Sequence, residues 1–191
     1  MRRRPIYTQA SDQDFPDESD PLTLLREEMV RSGFPGTLND DPRVLILGSF
    51  PSRISLERTE YYGNPNNHFW LIMEKLLFID SSLPYADRIT RLGEYQIALW
   101  DVIRSCKRTG SGDSRIQDPS LNDIPAFIAR HPGLRLIAFN GATSRKYFDR
   151  LGILGSIDTV TLPSTSPAHA RLTIPEKTDR WKVICPYLDI P

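Results

Sequence analysis

The chain predicts a three-layer α/β/α fold around a short, mostly parallel four-stranded sheet, and three observations predict it. Four apolar runs, at 43–48, 96–101, 134–139 and 157–163, place hydrophobic residues on consecutive positions, as strands buried on both faces do. Stretches of helical spacing, at about 67–78, 85–93, 121–130 and 141–151, separate them, and alternation of this kind builds a sheet covered on both sides. The length of 191 residues suits one domain with a sizeable core, and no internal repeat interrupts the pattern.

The elements follow in order. Residues 1–20 are polar, acidic and without periodicity, which predicts a disordered tail. Asp20-Pro21 then reads as an N-cap with proline at the first helical position. Leu22, Leu25 and Met29 continue at helical spacing until Gly33 or Pro35, so 21–42 is expected to be a helical extension packed outside the α/β domain of 43–191. The first strand, Val44-Leu45-Ile46-Leu47, empties into Gly48-Ser49-Phe50-Pro51-Ser52. Asn67 is placed to cap the next helix, whose inward face would be Phe69, Ile72, Met73, Leu76 and Leu77. Leu99-Trp100-Asp101 ends the second strand, Asn140-Gly141 turns the third into a helix, and Pro175 opens a last helix toward Lys182.

Composition narrows the function. Hydrophobic residues at 39% and charged residues at 25% describe a soluble globular chain, and no apolar run approaches the ~20 residues of a membrane span. The basic start Met1-Arg2-Arg3-Arg4-Pro5 is not followed by a hydrophobic segment, so an intracellular protein is expected. Cys106 and Cys185 form no C-x-x-C pair and the three histidines are scattered, so neither a metal nor a cofactor is expected. Net charge is zero, but residues 1–42 carry five Arg against nine acidic residues, leaving 19 basic against 15 acidic in the remainder. The segment from Arg104 to Gly112 is basic and reads as a loop facing phosphates, an ordinary solvated loop being the alternative.

In such a sheet the loops after the strands converge on a ligand crevice. They contain no Gly-x-Gly-x-x-Gly, no Gly-x-x-x-x-Gly-Lys and no Gly-x-Ser-x-Gly, which disfavours dinucleotide and triphosphate sites and acyl hydrolysis. What they do contain is Tyr61-Tyr62-Gly63-Asn64-Pro65-Asn66-Asn67-His68-Phe69-Trp70. Neutral amides and aromatic faces suit a flat, hydrogen-bonding ligand such as a nucleobase; the alternative is a tight turn with core aromatics. Ser164-Thr165-Ser166-Pro167 offers hydroxyls and backbone N–H groups suited to phosphates. Asp101 is expected to be a buried carboxylate accepting backbone N–H bonds, with water positioning as the alternative, and Trp100 a core residue.

These segments carry a resemblance. Gly48 to Ser52, Tyr61 to Trp70 and Leu162-Pro163-Ser164-Thr165-Ser166-Pro167-Ala168 resemble the hypoxanthine-DNA glycosylases of the uracil-DNA glycosylase superfamily, and Leu99 to Ile103 and Phe139-Asn140-Gly141 fit that family's inner strands in the same order. The likeness covers roughly 43–188. It implies a monofunctional, metal-independent enzyme, acting as a monomer, that flips a deaminated base out of DNA and hydrolyses its N-glycosidic bond. Hypoxanthine is the first-choice base; uracil or a mismatched base, an inactive binding module of the same fold, and an unrelated metabolite-binding protein are the alternatives. Relatives often keep a catalytic Asn in the first loop, where this chain has only Gly48-Ser49-Phe50-Pro51. In the hypoxanthine branch it lies in Asn-Pro-x-Asn-x-Phe-Trp, whose second Asn matches Asn67, with Asn64 and Asn66 as alternatives. The resemblance also implies Asn140 at the base edge, a strand-to-helix cap being the alternative, Tyr62 or Phe50 stacked on the base, a core aromatic being the alternative for Tyr62, and Gly48 and Ser49 beside it. After the Ser164–Pro167 loop, Ala168-His169-Ala170-Arg171 is placed to enter the minor groove, the role of His169 staying open. Some relatives hold an iron–sulfur cluster on four cysteines, which two cannot supply.

Overall fold

The computed structural model describes residues 30–37, 41–153 and 155–188. The expected tail and the start of the expected helical extension lie outside them. Four strands, β2 (Val44–Gly48), β3 (Ile97–Asp101), β6 (Leu136–Asn140) and β7 (Asp158–Leu162), form one parallel sheet in the order β3-β2-β6-β7. The helices are α1 (Arg53–Arg58), α2 (Phe69–Leu77), α3 (Tyr85–Glu94), α4 (Ile124–Arg130), α5 (Ala142–Phe148) and α6 (Ile174–Trp181).

Successive residues of a strand point to opposite faces, and the core divides accordingly. Val44, Ile46, Leu99, Leu136 and Ala138 pack with Phe69, Ile72, Met73, Trp181 and Ile184 on one side. Leu45, Leu47, Ala98, Ile137 and Phe139 pack with Ile124, Phe127, Tyr147 and Phe148 on the other. This is the three-layer arrangement expected from sequence. One strand departs from expectation: Asp158, Thr159 and Thr161 of β7 are exposed, because β7 is an edge strand and alternates rather than running apolar throughout.

A second sheet was not anticipated. β1 (Val30–Ser32), β4 (Ile103–Arg108) and β5 (Ile116–Leu121) pair antiparallel in the order β1-β4-β5. The segment read as a basic loop is therefore largely strand β4, and Arg108 is buried rather than offered to phosphates. Residues 30–37, assigned from sequence to a helical extension, run extended against the domain. Gly33 N–H donates to the Arg104 carbonyl, Thr37 N–H to the Leu99 carbonyl and the Trp100 indole to the Phe34 carbonyl.

Trp181 closes one layer. It is fully buried, meets Phe69 edge-on at 6.0 Å and donates its indole N–H to the Pro163 carbonyl at 3.0 Å. Trp181→Ala is expected to cost about 3–5 kcal/mol in urea unfolding, since it opens a cavity and frees the loop that begins at Pro163.

Candidate active site

The strand order reverses between β2 and β6, which is where an open parallel sheet forms its crevice. Register puts Gly48 opposite Asp101 and Asn140 opposite Leu162, so these residues share one edge of the sheet. A cleft of about 810 Å³ opens there, large enough for a nucleoside. Its walls include Gly48, Ser49, Phe50, Tyr62, Asn67, Asp101, Asn140, Ser164, Thr165, Ser166 and His169. Asn64, Pro167 and Arg171 are not among them.

The Tyr61–Trp70 segment is held rigidly. Tyr61 N–H donates to the Tyr85 hydroxyl, the Tyr61 hydroxyl to the Pro35 carbonyl, and the Trp70 indole to the Tyr61 carbonyl. Tyr62 has φ +56°, a left-handed conformation that costs a bulky residue ~1–2 kcal/mol. Gly63 N–H secures it by donating to the Glu60 carbonyl and to the Ser55 hydroxyl. One face of the Tyr62 ring stacks on Phe69 at 3.9 Å, and Arg108 covers one face of Phe50 at 4.8 Å. Each candidate platform is thus backed on one side, and Phe50 is itself buried, 6% exposed.

Asn67 lines the cleft and also caps helix α2. Helix α2 begins at Phe69 with His68 in the cap position, yet His68 makes no side-chain cap bond. Asn67 Oδ1 accepts the Phe69 N–H instead, at 3.0 Å. A carbonyl oxygen has two lone pairs, so the cap fixes the amide's orientation and leaves one lone pair and the Nδ2 hydrogens for a ligand. Asn64 turns elsewhere: its Oδ1 accepts Asn66 N–H at 3.0 Å in an exposed turn. Its place as alternative catalyst is not supported by the geometry, because the turn holds it out of the cleft.

Asn140 is bound at both ends by Thr165. Its Nδ2 donates to Thr165 Oγ1 at 2.9 Å, and its Oδ1 accepts Thr165 N–H at 2.9 Å. Thr165 leaves one amide hydrogen and one lone pair unengaged, and the same side chain pulls down the Tyr62 hydroxyl pKa. Thr165 is fully buried, which corrects its reading as a phosphate contact: it orients Asn140. Its carbonyl also accepts the His68 N–H at 3.0 Å, joining the segments that carry Asn67 and Asn140. Behind this joint, His68 Nδ1 lies 3.4 Å from the Nζ of buried Lys177. Burial lowers the Lys177 pKa, and burial followed by the Lys177 charge lowers that of His68.

The expectation of free backbone donors in the Ser164–Pro167 loop is likewise corrected. The Ser164 and Ser166 hydroxyl oxygens accept the N–H groups of Ser166 and Ala168, and His169 N–H donates to the Ser166 carbonyl. The serine hydroxyl protons, not the amides, are what this loop can present to phosphate oxygens. Gly141, at φ +100°, lets the loop close: a Cβ there would stand 3.0 Å from that of Ser164. Ser49 donates its hydroxyl to Asp113 at 2.9 Å, which commits it to the turn between β4 and β5.

Two charged wall residues were not singled out from sequence. Asp113 lies in the turn between β4 and β5, and Arg180 reaches the cleft from α6. Nothing in their spacing signals this, because each arrives through tertiary packing. Asp101 is buried as expected, but its carboxylate receives no hydrogen bond from any described residue, contrary to the expected backbone N–H bonds. Burial chiefly, then the charge of Asp113, opposed by Arg108, raises its pKa to about 7. Among the described residues no cluster of His, Cys, Asp and Glu is arranged to hold a metal ion.

Comparison with known proteins adds sequence-wide evidence. Residues 35–185 match the model of the uracil DNA glycosylase superfamily. A hypoxanthine DNA glycosylase of Methanosarcina acetivorans is 36% identical over 157 residues, covering 82% of this chain and 98% of that protein. A second, from Methanosarcina barkeri, is 35% identical over 144 residues, covering 75% and 90%. The solution NMR structure of a candidate uracil DNA glycosylase from Methanosarcina acetivorans superposes with a TM-score of 0.72 at 35% identity, over 82% of this chain and 96% of that one.

Proposed function

The chain belongs to the uracil DNA glycosylase superfamily, and on that premise we propose that it is a monofunctional DNA glycosylase that removes a deaminated base, hypoxanthine first, from DNA. The observation that carries the reading is the shared cleft. Asn67, Asn140, Tyr62 and Phe50 come from three separate loops and face one space of nucleoside size. Both similar curated proteins are named for hypoxanthine.

The chemistry follows from the geometry. An extruded base stacks on Tyr62 or Phe50, where stacking is worth ~1–3 kcal/mol against the few kcal/mol that extrusion costs. The remaining N–H and lone pair of Asn140 address its polar edge. Asn67, its amide fixed by the cap to Phe69, holds a water against the anomeric carbon as the C1′–N bond breaks. The water oxygen bonds to C1′, the electron pair of the C1′–N bond leaves with the base, and the proton that the water sheds passes through solvent to the departing base. No lysine is among the residues lining the cleft, so a Schiff base and strand cleavage by β-elimination are not part of this chemistry. Ser164 and Ser166 hydroxyls, with Arg180 and Arg171 on the outer surface, grip the flanking phosphates. The enzyme acts inside the cell, as a monomer, on DNA containing the damaged base.

The test is incubation with duplexes carrying deoxyinosine, deoxyuridine or deoxyxanthosine, followed by hot alkali. Strand breaks that require the alkali, fastest with deoxyinosine, are expected. Breaks without alkali would contradict a monofunctional mechanism, and tight binding with no breaks on any substrate would identify a binding module.

A further inference from the structure

Helix α6 reaches both asparagine-bearing segments with one face. Lys177 and Trp181 lie four residues apart on it, so their side chains stand one above the other. Trp181 donates to the Pro163 carbonyl, at the start of the loop whose Thr165 holds Asn140. Lys177 Nζ lies 3.4 Å from Nδ1 of His68, the residue after Asn67. The helix is itself fixed at its start by a capping box between Thr173 and Glu176.

The lysine is out of place by any measure of stability. Its side chain is 0% exposed, and lysine is almost never fully buried unless paired with an acid. Among the described residues no acidic side chain is paired with it, and its hydrogen bond goes to His68. An apolar side chain of the same length would fill this space without burying a charge. An ammonium only donates, so His68 Nδ1 accepts and the ring proton stands on Nε2. The His68 backbone is already committed: its N–H donates to the Thr165 carbonyl and its carbonyl accepts the Ile72 N–H in the first turn of α2. What Lys177 adds is a hold on the ring. We propose that Lys177 is a positioning residue for base release, fixing the His68 ring and through it the turn that aims the Asn67 amide. Trp181, on the same face of α6, holds the loop that orients Asn140, so one helix sets the two amides in register. This rests on the glycosylase reading and extends it to a residue outside the cleft, since neither His68 nor Lys177 is among the cleft walls.

The hold requires a neutral histidine. A protonated ring has no lone pair at Nδ1 and would set two cations against each other. Burial, then the Lys177 charge, keeps the His68 pKa below its ordinary value, so the bond is intact at neutral pH and is lost as pH falls through that lowered value. The unfolded chain takes up this proton first, so the stability tied to the bond is present above the ordinary histidine range and disappears on the acid side. On the elements packed around the pair, Glu176 holds Thr173, Asp179 pairs with Lys182 and Glu74 holds Ser81. Lys75 is exposed, while Arg180 and His169 line the cleft.

The experiment is single-turnover release of base from deoxyinosine duplex at about pH 5 and about pH 8, with NMR titration of the histidine rings and thermal melting of each variant. At the higher pH Lys177→Met is expected to release base about tenfold more slowly than wild type, with duplex binding unchanged and melting held or raised. At the lower pH the ratio is expected to shrink to near one, because wild type has lost the bond too. A limb set by Asp101 or His169 is common to both proteins and leaves the ratio alone. His68→Gln, which keeps an acceptor and cannot titrate, is expected to lie between the two at the higher pH and to keep its lead over Lys177→Met at the lower. The His68 ring, identified by its absence in His68→Gln, is expected to titrate below the ordinary histidine value in wild type and higher in Lys177→Met. A Lys177→Met rate equal to wild type, a ratio constant with pH, or a His68 titration that Lys177→Met does not move overturns the proposal. Should wild type release no base from any duplex, the glycosylase reading fails and this proposal falls with it. A constant ratio in an active enzyme overturns this proposal alone.

Discussion

Asn67→Ala is expected to lower base release by on the order of 10²–10³-fold, while Asn64→Ala leaves it within a factor of about three. The two residues lie three apart in a segment so rich in amides that composition cannot separate them. Geometry does. Asn64 closes an exposed turn on Asn66, whereas Asn67 lines the cleft with its carbonyl already oriented by the Phe69 N–H. An amide fixed before substrate arrives loses no rotational freedom on reaching the transition state, which is the source of the large effect. Asn67→Ala also removes a helix cap worth ~1 kcal/mol, so a modest fall in melting temperature accompanies it. Asn67→Asp separates the contributions: it restores the cap and keeps an acceptor toward water while losing the Nδ2 donors. Melting near wild type with intermediate activity is expected. If Asn67→Ala lost only what its melting predicts, the residue would be a cap and nothing more.

Three of the central strands were legible because a parallel sheet buried on both faces needs consecutive apolar residues, as Val44 to Leu47 and Leu136 to Phe139 supply, whereas β7 is largely exposed. The strand ends followed, since each run stops at Gly48, Asp101 or Asn140. The β1-β4-β5 sheet was not legible. Its pairing between β4 and β5 contains two register shifts, so the alternation that identifies a half-buried strand is broken. Arg108 misled for a related reason. Its guanidinium lies over Phe50 and donates to the Pro51 carbonyl, partners more than fifty residues away. The bond between Asn140 and Thr165 spans 25 positions and turns an expected phosphate contact into a scaffold. Residue type announces what chemistry a side chain is capable of; only packing decides which of several partners it meets.

Asn140 offers the sharper discrimination, because its variants divide the tether from the reading of the base. Asn140→Ala strips Thr165 of partners for both its N–H and its hydroxyl in a fully buried position. Unpaired buried polar groups cost ~1–3 kcal/mol each, so the loop from Pro163 to Ala168 loosens, the protein melts lower, and base release falls by on the order of 10²-fold or more. That result alone would not say whether the base or the loop was at fault. In Asn140→Asp the carboxylate still accepts the Thr165 N–H, and the Thr165 hydroxyl reverses to donate to the second oxygen. The tether survives and melting stays close to wild type. The edge shown to the base changes, however, from one donor and one acceptor to acceptors only. A carbonyl oxygen on the base then meets a negative charge where an N–H stood. Deoxyinosine cleavage is expected to fall by about 10²-fold with little loss of DNA binding, since the hydroxyls of Ser164 and Ser166 remain in place. Near-normal cleavage by Asn140→Asp, set against inactive Asn140→Ala, would assign Asn140 to the scaffold alone.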